Sequence, residues 1–433
     1  MAIPILMMFK STVSLSFLCF IFMLGSAAHA VVEPPPPVKW NEAADFNGSP
    51  KLMTYQSKVV DEVGVKTLQA SAAPIAGARS TAETPLIAYT RFPVVPLPGS
   101  SAGISFEYKG NGTPFFGSVM VSKGDNLFLG YEAYFPLDST EWRTMTVPWA
   151  DLINNAMPWD KQARLSMNDF AFSPGDIKSI GFGRSNCNHK FYTPTFAFSV
   201  RNIHLVPPLP AKPALTYSKG LSHVSGLIQQ KKPLNILLLG DSITDFGRDK
   251  SYGWHCAQLL QKKWGLPPCR VANTGIAGHS VRYGSIILPR SMRAMPQPDL
   301  VCILYGANDC KAATGEFNQS GFTEAVFAKN LSDMIDRVRL ATNGKADIVL
   351  LSGVPRLDKK GGNTTGAVEK IAGAFKTVAA EKNVILCDTF PVFLALPPAQ
   401  KNAYYMDTIH QTQPGLAAMG EVLFKTINAS MTP

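Results

Sequence analysis

The chain has 433 residues, of which 41 are Lys or Arg and 31 are Asp or Glu, so its formal net charge is +10. Only 17% of the residues are charged, and runs of Lys and Arg of the kind that mark nucleic-acid binding are absent, so we expect no nucleic-acid partner. The length exceeds what one hydrophobic core usually serves, which favours two domains.

The first 30 residues have the pattern of an export signal. Lys10 precedes an apolar stretch over residues 13–24, and small residues lead up to Ala30. This stretch is too short for a membrane-spanning helix, which needs about 20 residues. We expect cleavage after Ala30, a secreted or periplasmic mature protein and no transmembrane segment in the mature chain. Residues 31–37, which include four consecutive prolines, predict an extended spacer.

Residues 38–206 predict an all-β sandwich domain. Short alternating or aromatic runs are separated by Gly, Pro, Asn and Asp, and helical periodicity is absent over most of the region. Strands are expected over residues 103–109, 117–121, 127–135, 143–147, 177–183 and 196–205.

This region loosely resembles galactose-binding-like jelly rolls of carbohydrate-binding modules, chiefly in residues 141–149 and 198–205. Aromatic side chains such as Trp142 and Trp149 are suited to stacking on sugar rings, but aromatic residues that flank a strand more often belong to a sandwich core. Two interpretations stay open, a glycan-binding module and a domain that only supports its neighbour.

Residues 207–232 predict a linker that begins with a Pro-rich segment. Residues 214–230 are expected to form a bridging helix. Its apolar residues, among them Leu221, Val224 and Leu227, are unlike those of a flexible tether and favour packing of the β-sandwich against the domain that follows.

Residues 233–433 alternate strand and helix patterns, which predicts a parallel sheet with helices on both faces. Strands are expected over 235–239, 270–273, 300–305, 347–352 and 383–387, and helices over about 252–264, 283–294, 321–341, 365–381 and 415–429.

Four polar motifs lie in this second region. Gly-Asp-Ser occupies residues 240–242, Asn-Thr-Gly-Ile-Ala-Gly residues 273–278, Gly-Ala-Asn-Asp residues 306–309 and Asp-Thr-Ile-His residues 407–410. The first three follow predicted strands, and loops at the carboxyl ends of parallel strands gather at one edge of an open sheet. We therefore expect the motifs to converge on one site.

The residue types in these motifs suit nucleophilic catalysis. A serine such as Ser242 needs a base to take its proton, and a histidine such as His410 both accepts and returns a proton near neutrality. Asp407, three residues before His410, can reach the imidazole and fix its tautomer. Gly278 allows close approach of the backbone to the reacting oxygen, and the Asn308 amide is a neutral donor.

These motifs resemble those of the SGNH hydrolases, also called the GDSL family of esterases and lipases, over about residues 233–430. The resemblance implies a flavodoxin-like three-layer fold, with Ser242 as nucleophile, His410 as base and Asp407 as the residue that orients it. It also implies an oxyanion hole formed by Gly278, Asn308 and the backbone N–H of Ser242. Gly275 is an alternative to Gly278, and some members of the family steer the histidine with a backbone carbonyl.

The arrangement of an export signal, a β-sandwich and an SGNH site is similar to that of jelly-roll-plus-SGNH carbohydrate esterases. Our first hypothesis is an exported O-acetylesterase whose substrate is an acetylated polysaccharide or oligosaccharide. A lipid or aryl-ester esterase and an inactive glycan-binding envelope protein are the alternatives. No cluster of His, Cys, Asp and Glu has metal-ligand spacing and no Gly-rich phosphate loop occurs, so we expect neither a metal nor a cofactor.

One of the seven cysteines, Cys19, lies in the predicted signal. Cys302 and Cys387 lie within apolar strands, where buried free thiols are common. Cys256 and Cys269 are the one pair that we consider for a disulfide.

Overall fold

The structure is a computed structural model. It describes residues 44–47, 53–75, 88–93, 99–113, 115–124, 130–154, 173–184, 195–207, 215–217, 220–309, 323–357, 363–364 and 367–431. The predicted export signal, the spacer, Cys187, Cys310 and most of the Pro-rich part of the linker lie outside these residues.

The strands of the N-terminal part form two antiparallel sheets. In chain order they are β1 (Ala44–Asn47), β2 (Met53–Glu62), β3 (Val65–Pro74), β4 (Ala88–Pro93), β5 (Gly103–Lys109), β6 (Phe116–Ser122), β7 (Gly130–Pro136), β8 (Arg143–Pro148), β9 (Ile153–Asn154), β10 (Ser179–Arg184) and β11 (Phe196–Val206). The first sheet has the order β1-β4-β10-β6-β7-β9 and the second β2-β3-β11-β5-β8. The antiparallel, β-rich character expected of this part is confirmed, whereas its classification as a jelly roll stays a prediction.

The core of this β-sandwich lies between its two sheets and is rich in aromatic side chains. Phe106 of the second sheet meets Phe182 of the first edge to face, with ring centroids 5.0 Å apart. Trp149 is also part of this core, and its indole N–H donates to the carbonyl of Ser101 at 3.0 Å. Trp149 is therefore a structural residue and does not present its ring to a glycan.

The sequence interpretation missed the hairpin of β2 and β3. Its two-residue turn is Val63-Gly64, and both residues have positive φ, 56° and 80°. Such turns favour Asn or Asp followed by Gly, and a valine at the first position removes the usual signal.

The C-terminal part contains a parallel sheet, which confirms the prediction. Its strands are β12 (Asn235–Gly240), β13 (Arg270–Asn273), β14 (Leu300–Leu304), β15 (Asp347–Leu351) and β18 (Ile385–Cys387), in the order β13-β12-β14-β15-β18. A separate short antiparallel pair consists of β16 (Arg356–Leu357) and β17 (Asn363–Thr364).

Helices cover both faces of this parallel sheet. They are α1 (Ser222–Gln229), α2 (Ser242–Asp245), α3 (Tyr252–Trp264), α4 (Val281–Ile286), α5 (Leu288–Ala294), α6 (Glu324–Ala341), α7 (Ala367–Lys382), α8 (Thr389–Leu394), α9 (Pro398–Tyr404) and α10 (Gln413–Ser430). Successive strand residues point to opposite faces, so Leu237 packs with α6 and α7, whereas Leu238 packs with α3 and α10. Within the described residues, no helix is both long and apolar enough to span a membrane.

Two helix predictions were wrong in their extent. The helix expected over residues 283–294 is divided into α4 and α5, and Pro289 lies in the first turn of α5, where its missing N–H costs nothing. The bridging helix expected over residues 214–230 begins only at Ser222 as α1.

Helix α1 is fixed to the parallel sheet. The backbone N–H of Val224 donates to Asp347 Oδ2 at 2.8 Å, and His223 Nε2 lies 2.9 Å from Asp299 Oδ1. Leu221, Val224 and Ile228 are buried in the core on this face of the sheet. Helix α1 therefore packs against this face of the parallel sheet.

The disulfide considered for Cys256 and Cys269 is absent, because both residues are free thiols. The side chain of Cys256 is buried in the core beneath α3, whereas Cys269 Sγ lies against the loop before β13, 3.8 Å from the carbonyl of Pro267. Burial raises the pKa of both thiols, which keeps them protonated.

Candidate active site

Ser242 lies at the carboxyl end of β12, as the first residue of the short helix α2. Asp241 caps this helix, and its Oδ1 accepts the backbone N–H of Ile243 at 2.9 Å. A side chain at position 240 would collide with Thr244 and with the carbonyl of Leu304, so the tight turn from strand to helix requires Gly240. The sequence Gly-Asp-Ser thus builds the turn that presents the serine.

His410 connects Ser242 to Asp407 by hydrogen bonds. His410 Nε2 lies 2.8 Å from Ser242 Oγ, and His410 Nδ1 lies 2.6 Å from Asp407 Oδ2. A carboxylate can only accept, so Nδ1 carries the proton and Nε2 is left to accept the serine hydroxyl proton. The structure thus joins Ser242 to His410, which lies 168 residues further along the chain, and through His410 to Asp407 in one hydrogen-bonded series.

Asp407 also shapes the loop that carries His410. Its Oδ1 accepts the backbone N–H groups of Ile409 at 2.8 Å and His410 at 2.7 Å. Partial burial by itself raises the pKa of Asp407, but the hydrogen bonds from the His410 imidazole and from these backbone groups outweigh it, and the pKa lies below the usual value. Asp407 is therefore ionised at neutral pH.

The turn that follows β13 places Gly278 close to the nucleophile loop. Gly278 has a φ of +80°, a conformation that favours glycine. The N–H of the residue before it, Ala277, donates to Asp245 Oδ2 at 3.0 Å, and the N–H of Ile276 donates to the carbonyl of Gly240 at 3.0 Å. These bonds tie the turn to both ends of the segment that contains Ser242.

Gly275 and Gly278 differ in what their N–H groups do. The N–H of Gly275 donates to Asn273 Oδ1 at 3.1 Å, whereas the N–H of Gly278 has no acceptor among the described residues. The N–H of Ser242 likewise has no acceptor there. Two backbone donors are thus left available in the two turns, and Gly275 is not one of them.

Asn308 lies in the turn of 3₁₀ helix after β14, Ala307–Asp309. Its Nδ2 donates to the backbone carbonyl of His279 at 3.0 Å, a contact that the sequence did not indicate. The amide therefore joins the third motif to the second and has a fixed orientation. His279 itself is buried, and its contribution here is through the backbone.

Two carboxyl groups are buried beneath these turns, and sequence reasoning assigned a role to neither. Burial raises the pKa of Asp241 to about 7, against hydrogen bonds from backbone N–H groups and the charge of Arg356. Burial, and then the charge of Asp241, raise the pKa of Asp309 to about 7. Two buried carboxylates repel each other, so the fold favours a state in which a carboxyl group of this pair keeps its proton.

Phe246 is a further neighbour that the motifs did not reveal. Its ring centroid lies 4.6 Å from that of His410, and 46% of the residue remains exposed. It follows Ser242 by four residues and so lies one helical turn further along the same face. The four-residue spacing from Ser242 is the one sign of this position in the sequence, and an ordinary surface residue of the helix would have the same spacing.

The described residues contain no group of three or more His, Cys, Asp and Glu side chains that could hold a metal ion. The groups that the structure brings together at Ser242 are a hydroxyl, an imidazole and a carboxylate.

Residues 238–418 match the model of the GDSL-like Lipase/Acylhydrolase family. This part of the chain is therefore similar to the GDSL-type acylhydrolases. The resemblance predicted for about residues 233–430 is confirmed to that extent, and the likeness of the β-sandwich to galactose-binding modules stays a prediction.

Curated relatives carry esterase names. Over 124 residues, or 28% of this chain, the sequence is 32% identical to the isoamyl acetate-hydrolyzing esterase 1 homologs of Bos taurus and Homo sapiens, covering 47% and 48% of those proteins. The chain thus spans about half the length of the curated relatives it matches.

The solved structures that are similar to part of this chain include two with enzyme names. A lipase/acylhydrolase from Enterococcus faecalis is 23% identical, with a TM-score of 0.36, over 47% of this chain and 97% of that one. An acetylxylan esterase from Geobacillus stearothermophilus is 22% identical, with a TM-score of 0.34, over 46% of this chain and 94% of that one.

Proposed function

We propose that the protein is an exported serine esterase that removes O-acetyl groups from a polysaccharide or oligosaccharide. The observation that carries the proposal is the hydrogen-bonded series from Asp407 through His410 to Ser242 at the carboxyl end of β12. Such a series is the arrangement that activates a serine hydroxyl.

In the first half of the proposed reaction, Ser242 Oγ attacks the acyl carbon while His410 Nε2 takes its proton. The carbonyl oxygen becomes negatively charged and accepts hydrogen bonds from the N–H groups of Ser242 and Gly278. The Asn308 amide, oriented by its contact with the carbonyl of His279, is assigned to the same oxyanion hole from the family resemblance. The bond to the alcohol then breaks, and His410 returns the proton to the leaving oxygen.

In the second half, water attacks the acyl group on Ser242. His410 Nε2 takes a proton from the water and returns it to Ser242 Oγ as the acyl–serine bond breaks. Acetate leaves and the free serine is restored. Asp407 keeps the imidazole in one tautomer and faces the positive charge that forms on it in each half.

Two observations support an acetate ester of a ring-containing alcohol. The curated relatives are named for hydrolysis of an acetate ester. The exposed ring of Phe246 beside His410 offers a flat apolar surface to the leaving group, and the apolar face of a sugar ring fits such a surface. The export signal expected over residues 1–30 and the adjoining β-sandwich fit a substrate outside the cell.

A short-chain alkyl or aryl acetate is the second candidate substrate. The same relatives are named for isoamyl acetate, whose alcohol is a small branched alkyl group. Phe246 suits an alkyl or aryl leaving group as well as a sugar. An inactive glycan-binding protein is disfavoured, because binding alone gives no physical reason to align a nucleophile with a base.

The first test measures hydrolysis of p-nitrophenyl acetate by the wild type and by Ser242→Ala. Acetate release is then compared on isoamyl acetate, an acetylated xylan and an acetylated hexose polysaccharide. The proposal expects the highest kcat/KM on one of the polysaccharides and none with Ser242→Ala. Higher kcat/KM on isoamyl acetate would favour the second candidate, and no turnover of any ester would overturn both.

Export is tested separately by the mass of the protein recovered outside the cytoplasm. Cleavage after Ala30 predicts a mature chain that begins at Val31. A full-length protein retained in the cytoplasm would overturn this part of the proposal and leave the esterase part untouched.

A further inference from the structure

The turn that contains Gly278 has a second face, which is turned away from the nucleophile. Ile276, two residues before Gly278, is 3% exposed. It belongs to a buried apolar cluster, hereafter the interface cluster, with members from both parts of the chain. The β-sandwich contributes Phe116, Tyr134 and Ile153, and the acylhydrolase domain contributes Ile276, Tyr283, Ile286 and Ile287.

Polar contacts hold the same two parts together around this cluster. Arg337 of α6 donates from Nη1 to the carbonyl of Asp151 at 3.0 Å and from Nη2 to that of Ala150 at 3.3 Å. Arg293 of α5 lies 3.0 Å from Asp138 Oδ2. These bonds fix the first antiparallel sheet against α5 and α6, so the apolar residues between the two parts have a defined surface to pack on.

The turn is consequently held from two sides. On the active-site side the N–H groups of Ile276 and Ala277 are bonded to Gly240 and Asp245, and the carbonyl of His279 is bonded to Asn308. On the other side the Ile276 side chain is enclosed by the interface cluster. Without Phe116, Tyr134 and Ile153 of the β-sandwich, the hydrogen bonds of the turn would remain, but Ile276 would lose the side chains that pack against it.

We propose that the β-sandwich is a positioning element for the oxyanion hole, and that Ile276 is the positioning residue through which it acts on Gly278. An oxyanion donor is effective only at about 2.7–3.1 Å from the developing charge. A misplacement of about 1 Å can cost roughly 10²-fold in rate. A small movement of Ile276 is therefore enough to be measured in kcat. This inference rests on the esterase activity proposed above.

The test compares two substitutions in the β-sandwich of the full chain. Ile153→Ala removes a side chain from the interface cluster, and Leu68→Ala removes one of equal size from the sandwich core between the two sheets. Both should lower stability by a comparable amount, since both create a cavity. On p-nitrophenyl acetate, at a temperature where both variants are folded, we expect Ile153→Ala to lower kcat about 10-fold with KM within about twofold. Leu68→Ala should leave kcat within about twofold.

Substitutions at position 276 test the same link from the other side. Ile276→Ala should reproduce the loss of kcat, and the conservative Ile276→Val should retain most of the activity. If Ile153→Ala does not fold, Ile153→Val takes its place, with a smaller effect in the same direction.

Hydrogen exchange supplies a readout that does not need turnover. The backbone amides of residues 276–279 should exchange faster in Ile153→Ala than in the wild type, and no faster in Leu68→Ala. Equal losses of kcat in the two sandwich variants, or unchanged kcat and exchange in Ile153→Ala, would overturn the proposal. A wild type without esterase activity would overturn the proposed function instead, and the exchange measurement would still decide whether the sandwich holds the turn.

Discussion

The ring of Phe246 lies against the imidazole of His410, with 4.6 Å between ring centroids and 38° between the ring planes. One side of the imidazole is thereby shielded, while nearly half of Phe246 stays in contact with solvent. His410 Nε2 lies 2.8 Å from Ser242 Oγ, so in the proposed reaction a leaving group departs from the serine near the Phe246 ring.

Phe246→Ala should lower kcat/KM about 10-fold for an acetylated oligosaccharide or aryl acetate and less for ethyl acetate, because only the larger leaving groups lose a packing surface. Steady-state kinetics on the three esters checks this, with Phe246→Tyr as the variant that keeps a ring. An equal loss on all three would show that Phe246 acts only by supporting His410.

Asp407→Asn should lower kcat about 10²-fold or more, because an amide can present its NH₂ group to Nδ1 and stabilise the unproductive tautomer. Asp407 is half exposed, so water can partly replace it and the loss should be smaller than for a fully buried carboxylate. Activity close to that of the wild type would indicate that backbone contacts alone steer His410.

Asn308→Ala should lower kcat by roughly 10²- to 10³-fold with little change in KM, since its amide is proposed to meet charge that develops only in the transition state. Ser242→Ala, assayed in parallel, gives the background rate of ester hydrolysis below which no activity of Asn308→Ala can be measured. A raised KM at unchanged kcat would instead place Asn308 among the groups that bind the ground state.

The two buried carboxyl groups predict a dependence of stability on pH. In the folded state the pKa values of Asp241 and Asp309 are both raised to about 7, whereas in the unfolded chain an aspartate titrates near 4. Between about pH 4 and pH 7 the folded state therefore holds protons that the unfolded state has lost. The free energy of unfolding should fall across this window, by about 1.4 kcal/mol per pH unit for each retained proton, and become flat above it.

Urea unfolding of the wild type and of Asp309→Asn at pH 5 and pH 8 measures this effect. Asn308 and Asp309 are adjacent, so circular dichroism should first establish that the variant keeps its fold. The variant cannot titrate at position 309 and should show a smaller difference between the two pH values. Identical differences would mean that Asp309 is ionised in the folded state.

The order of strands and helices in the second half could be read from the sequence because its parallel strands are buried on both faces. Such strands appear as continuous apolar runs, for example over residues 236–239 and 300–304, and each ends at a polar turn. The carboxyl ends of adjacent parallel strands meet at one edge, so the position of Ser242 relative to the turns that contain Gly278 and Asn308 also follows.

The remaining features depend on contacts between residues distant in the chain. Nothing local to Ile276 indicates that it packs with residues of the β-sandwich, and nothing local to Cys256 and Cys269 shows that their side chains point to different surroundings. The carboxyl of Asp309 acquires its raised pKa from burial in the complete fold. Periodicity specifies which face of an element is apolar, but not which partner covers it.

A chain that starts near Pro213 should lose stability and small-ester activity together. It retains α1 and its bonds to Asp347, but it exposes Ile276, Tyr283, Ile286 and Ile287, which are buried in the full chain, and it removes the carbonyl acceptors of Arg337. Newly exposed apolar surface of this kind lowers stability and promotes association. Thermal unfolding and p-nitrophenyl acetate hydrolysis of the truncated and full chains measure both effects. If the β-sandwich served only to bind glycan, the truncated chain would melt where the full chain does and lose efficiency on polysaccharide alone, because linked binding raises local substrate concentration without altering the chemistry.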